Sequence, residues 1–152
     1  MTGLALELSP EAFAAFLGKK ADALAHLDLT PAWARVAAFF FAQSQMSFVG
    51  SRSPAGAPWA PLKNPSAARG GARARPLRDT ERLMRSFGAG AEHVERVTAT
   101  SLVWGTAVPY AGFHQFGTRR IPARPFLGLT PAAAETVGRI VAAELAKAFA
   151  GA

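Results

Sequence analysis

Residues 110–128 read YAGFHQFGTRRIPARPFLG, and the rest of the chain has to fold around what this stretch permits. Pro122 and Pro125 hold their part of the backbone extended and exclude helix. Gly117 and Gly128 offer turn conformations that other residues resist. Residues 110–116 read as a helical turn, and residues 118–121 as a short further strand. Phe126 and Leu127 anchor the extended arm, and Arg124 stands on it. Two readings follow: a stiff arm that displays Arg124 to a partner, or an ordinary sheet edge with a turn.

Just downstream, Thr130-Pro131 is a helix start signal that recurs at Ser9-Pro10 and Thr30-Pro31. A Ser or Thr N-cap offers an acceptor to an orphan backbone N–H, and proline at the next position sacrifices no hydrogen bond. Three helices are expected, over residues 10–27, 31–48 and 131–149. In the first, Phe13, Phe16, Leu17, Leu24 and Leu27 share a face. In the last, Val137, Ile140, Val141, Leu145 and Phe149 form the stripe, with Glu135 and Arg139 placed as an i,i+4 pair. The middle helix has Arg35 as its single charge. Trp33, Ala37, Phe40, Ser44 and Phe48 make one face and Val36, Phe39 and Met46 another. A helix apolar on two sides is buried on two sides. It is either a central core helix or one partly covered by a neighbouring subunit.

Upstream of the arm, residues 93–99 and 102–105 read as a β-hairpin rich in Val, Thr and Trp. Residues 79–87 read as a short helix carrying Leu83, Met84 and Phe87. Before it, residues 50–76 are rich in Gly, Pro, Ala and Arg and read as a long flexible loop. Trp59 and Leu62 are its anchor point. The expected fold is α+β, with three main helices on a small, mainly antiparallel sheet. One domain over residues 1–152 suits the length, and 50% hydrophobic residues suffice for a core.

The net charge of +7 suggests an acidic partner or a polyanion. Residues 51–90 hold eight basic residues against two acidic ones, nearly the whole excess. Arg69, Arg73 and Arg75 stand in a Gly/Ala context that suits non-specific contact with phosphate or with an acidic protein surface. The alternative is a solvated basic loop. Aromatic interleaving is absent there, which weakens base stacking as a mode of binding. The longest apolar run, residues 36–42, is far shorter than the roughly 20 residues of a membrane span.

Catalytic chemistry finds little support. With no cysteine, disulfides and thiolate metal sites are excluded. His26, His93 and His114 lack a second histidine or carboxylate at the spacing of a shared helical metal face, so each reads as a surface or core-edge histidine. There is no Gly-x-Ser-x-Gly elbow, no phosphate-binding glycine loop before a helix and no evident acid pair. No cofactor is expected.

The pair YAxxHQFG and IPARPFLG resembles the phage virion morphogenesis, or tail-completion, family of Mu-like and P2-like tailed phages. The resemblance extends upstream. Pro54-Ala-Gly56, Trp59, Pro61 and Leu62 are similar to that family's G-x-x-W-x-P-L element. Leu77, Asp79, Thr80, Leu83 and Ser86 are similar to its L-x-x-T-G-x-L-x-x-S element, with Glu81 in place of the glycine. The resemblance covers roughly residues 50–130. It implies a structural, non-catalytic virion protein, assembled in the host cytoplasm and placed at the tail–head junction. It implies a ring, commonly a hexamer, with tail-tube and head–tail connector proteins as partners; DNA passing through the lumen beside the basic loop is a further expectation. Interface or packing roles fall on Trp59, Tyr110, His114, Gln115, Arg124 and Phe126.

Overall fold

A computed structural model describes residues 10–63 and 75–151, with backbone alone over residues 10–17. The order is α1 (Pro10–Ala25), α2 (Thr30–Gly50), α3 (Arg82–Arg85), β1 (His93–Val97), β2 (Leu102–Thr106), α4 (Ala111–Phe116) and α5 (Pro131–Ala150). The strands pair antiparallel from His93 opposite Thr106 to Val97 opposite Leu102, so the expected α+β class holds. Thr98 and Ser101 close the hairpin: the Thr98 N–H donates to the Ser101 carbonyl at 2.9 Å, and their hydroxyls meet at 2.7 Å.

The start signals worked unequally. At α5, Thr130 is extended (φ −70°, ψ 162°) and its Oγ1 accepts from the Ala133 N–H at 3.1 Å, a true N-cap. At α2 the helix begins at Thr30 itself, and Thr30 makes no cap. Asp28 serves instead, its Oδ1 accepting from the Thr30 N–H at 2.9 Å. Hydrogen bonding from the Thr30 side chain, and then from its N–H, holds the Asp28 carboxyl below its ordinary range. Ser9 lies outside the described residues. At its far end α2 runs two residues past the expected stop, and Ser51 closes it in the left-handed conformation (φ 50°) usual for glycine.

Helix α2 is the centre of the fold and belongs to two cores. Its first half supplies Ala32 and Val36, which pack with Leu29 and Ile140. Its end supplies Phe48, which is fully buried with Trp59, Leu83, Phe87, Val108, Ala111 and Phe126. The hairpin lies against the same helix through Trp104, whose ring stacks on Phe40 at 6.4 Å and meets Phe87 at 5.3 Å. A lone hairpin is marginal in water, and these contacts supply its support. The second apolar side of α2 is covered only in part by the described residues: Val36 is buried and Phe39 half-buried, but the far end is open. Met46 is 74% exposed and Val49 52%.

Helix α1 packs on α5, where the Lys20 ammonium donates to the Phe149 carbonyl and lies 5.6 Å from the Phe149 ring centre. Leu24 of its expected apolar face is exposed and Leu27 is half-buried. The side chains of Phe13, Phe16 and Leu17 lie outside the described ones. In α5 the expected stripe is inward, with Ile140 buried and its companions half-buried. Arg139 turns to the Thr136 hydroxyl at 3.3 Å, where the sequence suggested Glu135.

Two expected elements change. The helix expected over residues 79–87 shrinks to a single turn, because Glu81 takes a left-handed backbone (φ 58°, ψ 9°) that no helix can run through. The strand expected over residues 118–121 is a tight turn. Gly117 enters it at φ 75°, the Thr118 N–H donates to the Ile121 carbonyl at 2.7 Å, and the Thr118 Oγ1 accepts from the N–H groups of Arg120 and Ile121. A side chain at position 117 would place its Cβ 2.8 Å from the Ala123 nitrogen, so the turn needs glycine.

Candidate assembly interface

The four motif elements meet in one place. Residues 51–63 are not slack: the Ser53 N–H donates to the Ala57 carbonyl at 2.7 Å and the Trp59 N–H to the Ser51 carbonyl at 2.8 Å. This folded loop delivers Trp59 into the core, 6% exposed, edge-on to Phe48 at 5.7 Å. Its indole Nε1 donates to the Pro125 carbonyl at 2.8 Å. A buried indole needs such an acceptor, and the proline-stiffened arm provides it.

Arg124 answers in the other direction. Its Nε donates to the Ala60 carbonyl at 2.8 Å and its Nη2 to the Pro61 carbonyl at 3.0 Å. The side chain is 6% exposed, so the arm turns Arg124 inward where the sequence suggested display to a partner. The reason is chemical. A loop holding Pro58 and Pro61 is short of N–H donors, and its carbonyls need the guanidinium fork. Burial lowers the Arg124 pKa without discharging it.

Gln115 completes the clasp. Its Nε2 donates to the Leu127 carbonyl at 2.7 Å, and its Oε1 accepts from the N–H groups of Phe126 (3.1 Å) and Leu127 (3.2 Å). One amide therefore satisfies three backbone groups of the arm, much as a neighbouring strand would. The arm also docks through its own backbone, from the Arg124 N–H to the His114 carbonyl at 2.7 Å. Phe126, 1% exposed, stacks on Phe48 at 5.3 Å.

Beside the clasp lies an open cleft of about 440 Å³ whose lining includes Leu62, Leu77, Thr80, Tyr110, His114 and Arg124. Tyr110 sits edge-on to His114 at 5.9 Å and takes the Arg82 guanidinium at 5.8 Å from its ring centre. The His114 Nδ1 is buried without a hydrogen-bond partner among the described residues. Burial, and then the charge of Arg124, push the imidazole pKa down. Glu81 rims the same cleft. Arg78 Nε reaches it at 3.2 Å and Arg85 Nη2 at 3.2 Å, and the Arg78 hydrogen bond holds its carboxyl below 4.5.

Of the candidate residues, then, the structure brings together Trp59, Tyr110, His114, Gln115, Arg124 and Phe126. Arg75 stands apart, exposed, with Nη1 on the Val49 carbonyl at the end of α2 (2.9 Å). Arg69 and Arg73 lie outside the described residues. The basic segment is also less free than its composition suggests, since Arg78, Arg82 and Arg85 are ion-paired with Glu81 and Glu92. Sequence reasoning missed the acceptors of Arg124, which are backbone carbonyls and leave no side-chain signature. It also missed Ser86 as a tie between α3 and the hairpin: its hydroxyl meets that of Thr106 at 2.7 Å while buried. Among the described residues no three His, Cys, Asp or Glu side chains group as metal ligands, and no helix is long and apolar enough to cross a membrane.

These motifs thus define a structural α+β protein, built around a clasp of backbone carbonyls. The phage virion morphogenesis family matches over residues 11–146, and the chain belongs to it. It is also similar to the "Mu-like prophage FluMu G protein 2" of Haemophilus influenzae, 44% identical over 63 residues. That match takes in 37% of this chain and 41% of the relative's length. No solved structure matches.

Proposed function

We infer that the chain acts as one tail-completion domain, which finishes the phage tail and joins it to the head. It works as a ring, with six copies favoured, between tail-tube and head–tail connector proteins, and DNA passes through its lumen. Its contribution is assembly and not catalysis. The observation that carries this reading is how the family motifs are used. Trp59, Gln115 and Arg124 spend their polar groups on backbone carbonyls and N–H groups, which builds a rigid body. Uncovered apolar surface at Met46 and Val49 supports contact between copies or with a tube.

Deleting the gene tests the junction role. DNA-filled heads and separate tails are expected to accumulate, and intact particles in their place would overturn it. Native mass spectrometry of the purified chain, alone and with tail-tube protein, tests the ring. A chain that stays monomeric under both conditions would overturn that part.

A further inference from the structure

The same stretch that makes the clasp also makes a tip that the clasp does not use. On α4, Phe113 is 57% exposed and Phe116 81%. They stand three residues apart, on one side of the helix. Arg119 and Arg120 follow in the exposed turn, and neither has an ion-pair partner among the described residues. The tip is pre-shaped: Gly117 and the Thr118 hydroxyl hold the turn, and the Arg124 N–H ties its far side to the His114 carbonyl. Presenting aromatics and arginines on a rigid support lowers the ordering cost of binding, and these residue types dominate binding hot spots.

We propose that this tip, Phe113, Phe116, Arg119 and Arg120, docks on a partner protein whose contact face is an apolar slot rimmed by carboxylates. Charge selects the occupant. From residue 96 to residue 134 the chain carries four arginines and no Asp or Glu, so Arg119 and Arg120 have no acidic residue near them in the sequence. A second copy is a poor match. It brings the same net +7, so like charge opposes its approach to the tip. Duplex DNA would take the arginines but has no place for two phenyl rings held in water. An acidic protein face with an apolar centre takes both. The proposal goes beyond the junction role, because it concerns which surface binds and what that surface recognises.

The test is site-specific photo-cross-linking. Benzoylphenylalanine replaces Phe116 in the full chain, expressed in its native host with the rest of its particle genes. Cross-linked peptides are then identified by mass spectrometry. The expected product is a peptide of another protein bearing several Asp or Glu residues around apolar ones. Its yield should fall at least tenfold in the Arg119→Glu/Arg120→Glu background and return when the partner's carboxylates are changed to Lys. Adducts confined to a second copy, adducts to DNA, no adduct at all, or a yield indifferent to the charge reversal would each overturn the proposal. If the charge-reversed chain fails to fold by circular dichroism, the Arg119→Gln/Arg120→Gln chain is read the same way. Incorporation of the chain into particles is scored separately. Acidic-partner adducts without incorporation would defeat the junction role and leave the tip standing, and the reverse pattern would do the opposite.

Discussion

Two faces of one 19-residue stretch behave oppositely. Tyr110, His114, Gln115, Arg124 and Phe126 turn into the protein, where Gln115 and Arg124 between them satisfy five backbone groups. The side chains of Phe113, Phe116, Arg119 and Arg120, interleaved with them, are exposed, and the two arginines have no ion-pair partner among the described residues. Most of the motif that identifies the family is therefore concerned with shape, while Phe116 within it and its neighbours Phe113, Arg119 and Arg120 have binding capacity to spare. A residue that defines a family signature need not be the residue that meets the partner.

The largest blow to the inward face is expected from Phe126→Ala. Phe126 is stacked on Phe48 and touches Phe87 at 5.7 Å, so truncation removes a fully buried ring at the junction of arm and core. About 3–5 kcal/mol of stability should be lost, read from urea unfolding. A loss under about 1 kcal/mol would mean that the arm is not part of the core. Next comes Gln115→Leu, which keeps the volume but strands two N–H groups and a carbonyl of the arm. That should cost about 1–3 kcal/mol, and Gln115→Glu, which keeps the acceptor, should cost less. Equal losses for the two variants would show that the amide packs and does not clasp.

Sequence reading reached the helices, the hairpin and the family because these are local or motif-borne. Thr130-Pro131 caps α5 as the residues themselves demand. Thr30-Pro31 does not: the Trp33 N–H that Thr30 would cap donates to the Leu29 carbonyl, so the helix starts earlier, and Asp28 caps the Thr30 N–H. The clasp was legible as a set of residues but not as a contact. Its acceptors at Ala60, Pro61 and Pro125 are carbonyls that every sequence has. The sequence left the direction of Arg124 open for the same reason. A charged residue on an exposed-looking arm suggests solvent, and what draws it inward is a donor-poor loop 63 residues away.

Glu81 offers a sharper test of what the signature glycine does. Its left-handed backbone is a position made for glycine, and the side chain is kept there by Arg78 and Arg85. Glu81→Ala keeps the strain and drops the ion pairs, whereas Glu81→Gly drops both. The glycine variant should melt about 2–4 °C above the alanine variant. If alanine is the more stable, the cleft wall is not strained at this point.

His114 gives the inward face a pH signature. Its folded pKa lies below the ordinary 6.5, through burial and then Arg124. The unfolded chain therefore takes up the proton first as pH falls. Stability should be flat above about 6.5 and should decline below it until the folded value is passed. Glu81 and Glu92, held below 4.5 by hydrogen bonds from Arg78 and Arg82, lose their contribution in a separate, more acidic window. Urea unfolding at pH 7 and pH 5.5 should show the decline in the parent chain and a smaller one in His114→Gln. The same decline in both would assign it to other groups.

The smallest expected effect is on the outward face. Phe116 makes no core contact and is 81% exposed, so Phe116→Ser should leave stability within about 0.5 kcal/mol of the parent. The near-zero result is informative because residue 115 carries three hydrogen bonds and residue 117 tolerates no side chain, so a tip coupled to the clasp would feel the change. Unchanged unfolding together with fewer joined particles in a complementation assay would separate binding from folding within two adjacent residues. A clear loss of stability would instead make Phe116 part of the same rigid body as Gln115, and the contrast between the two faces would disappear.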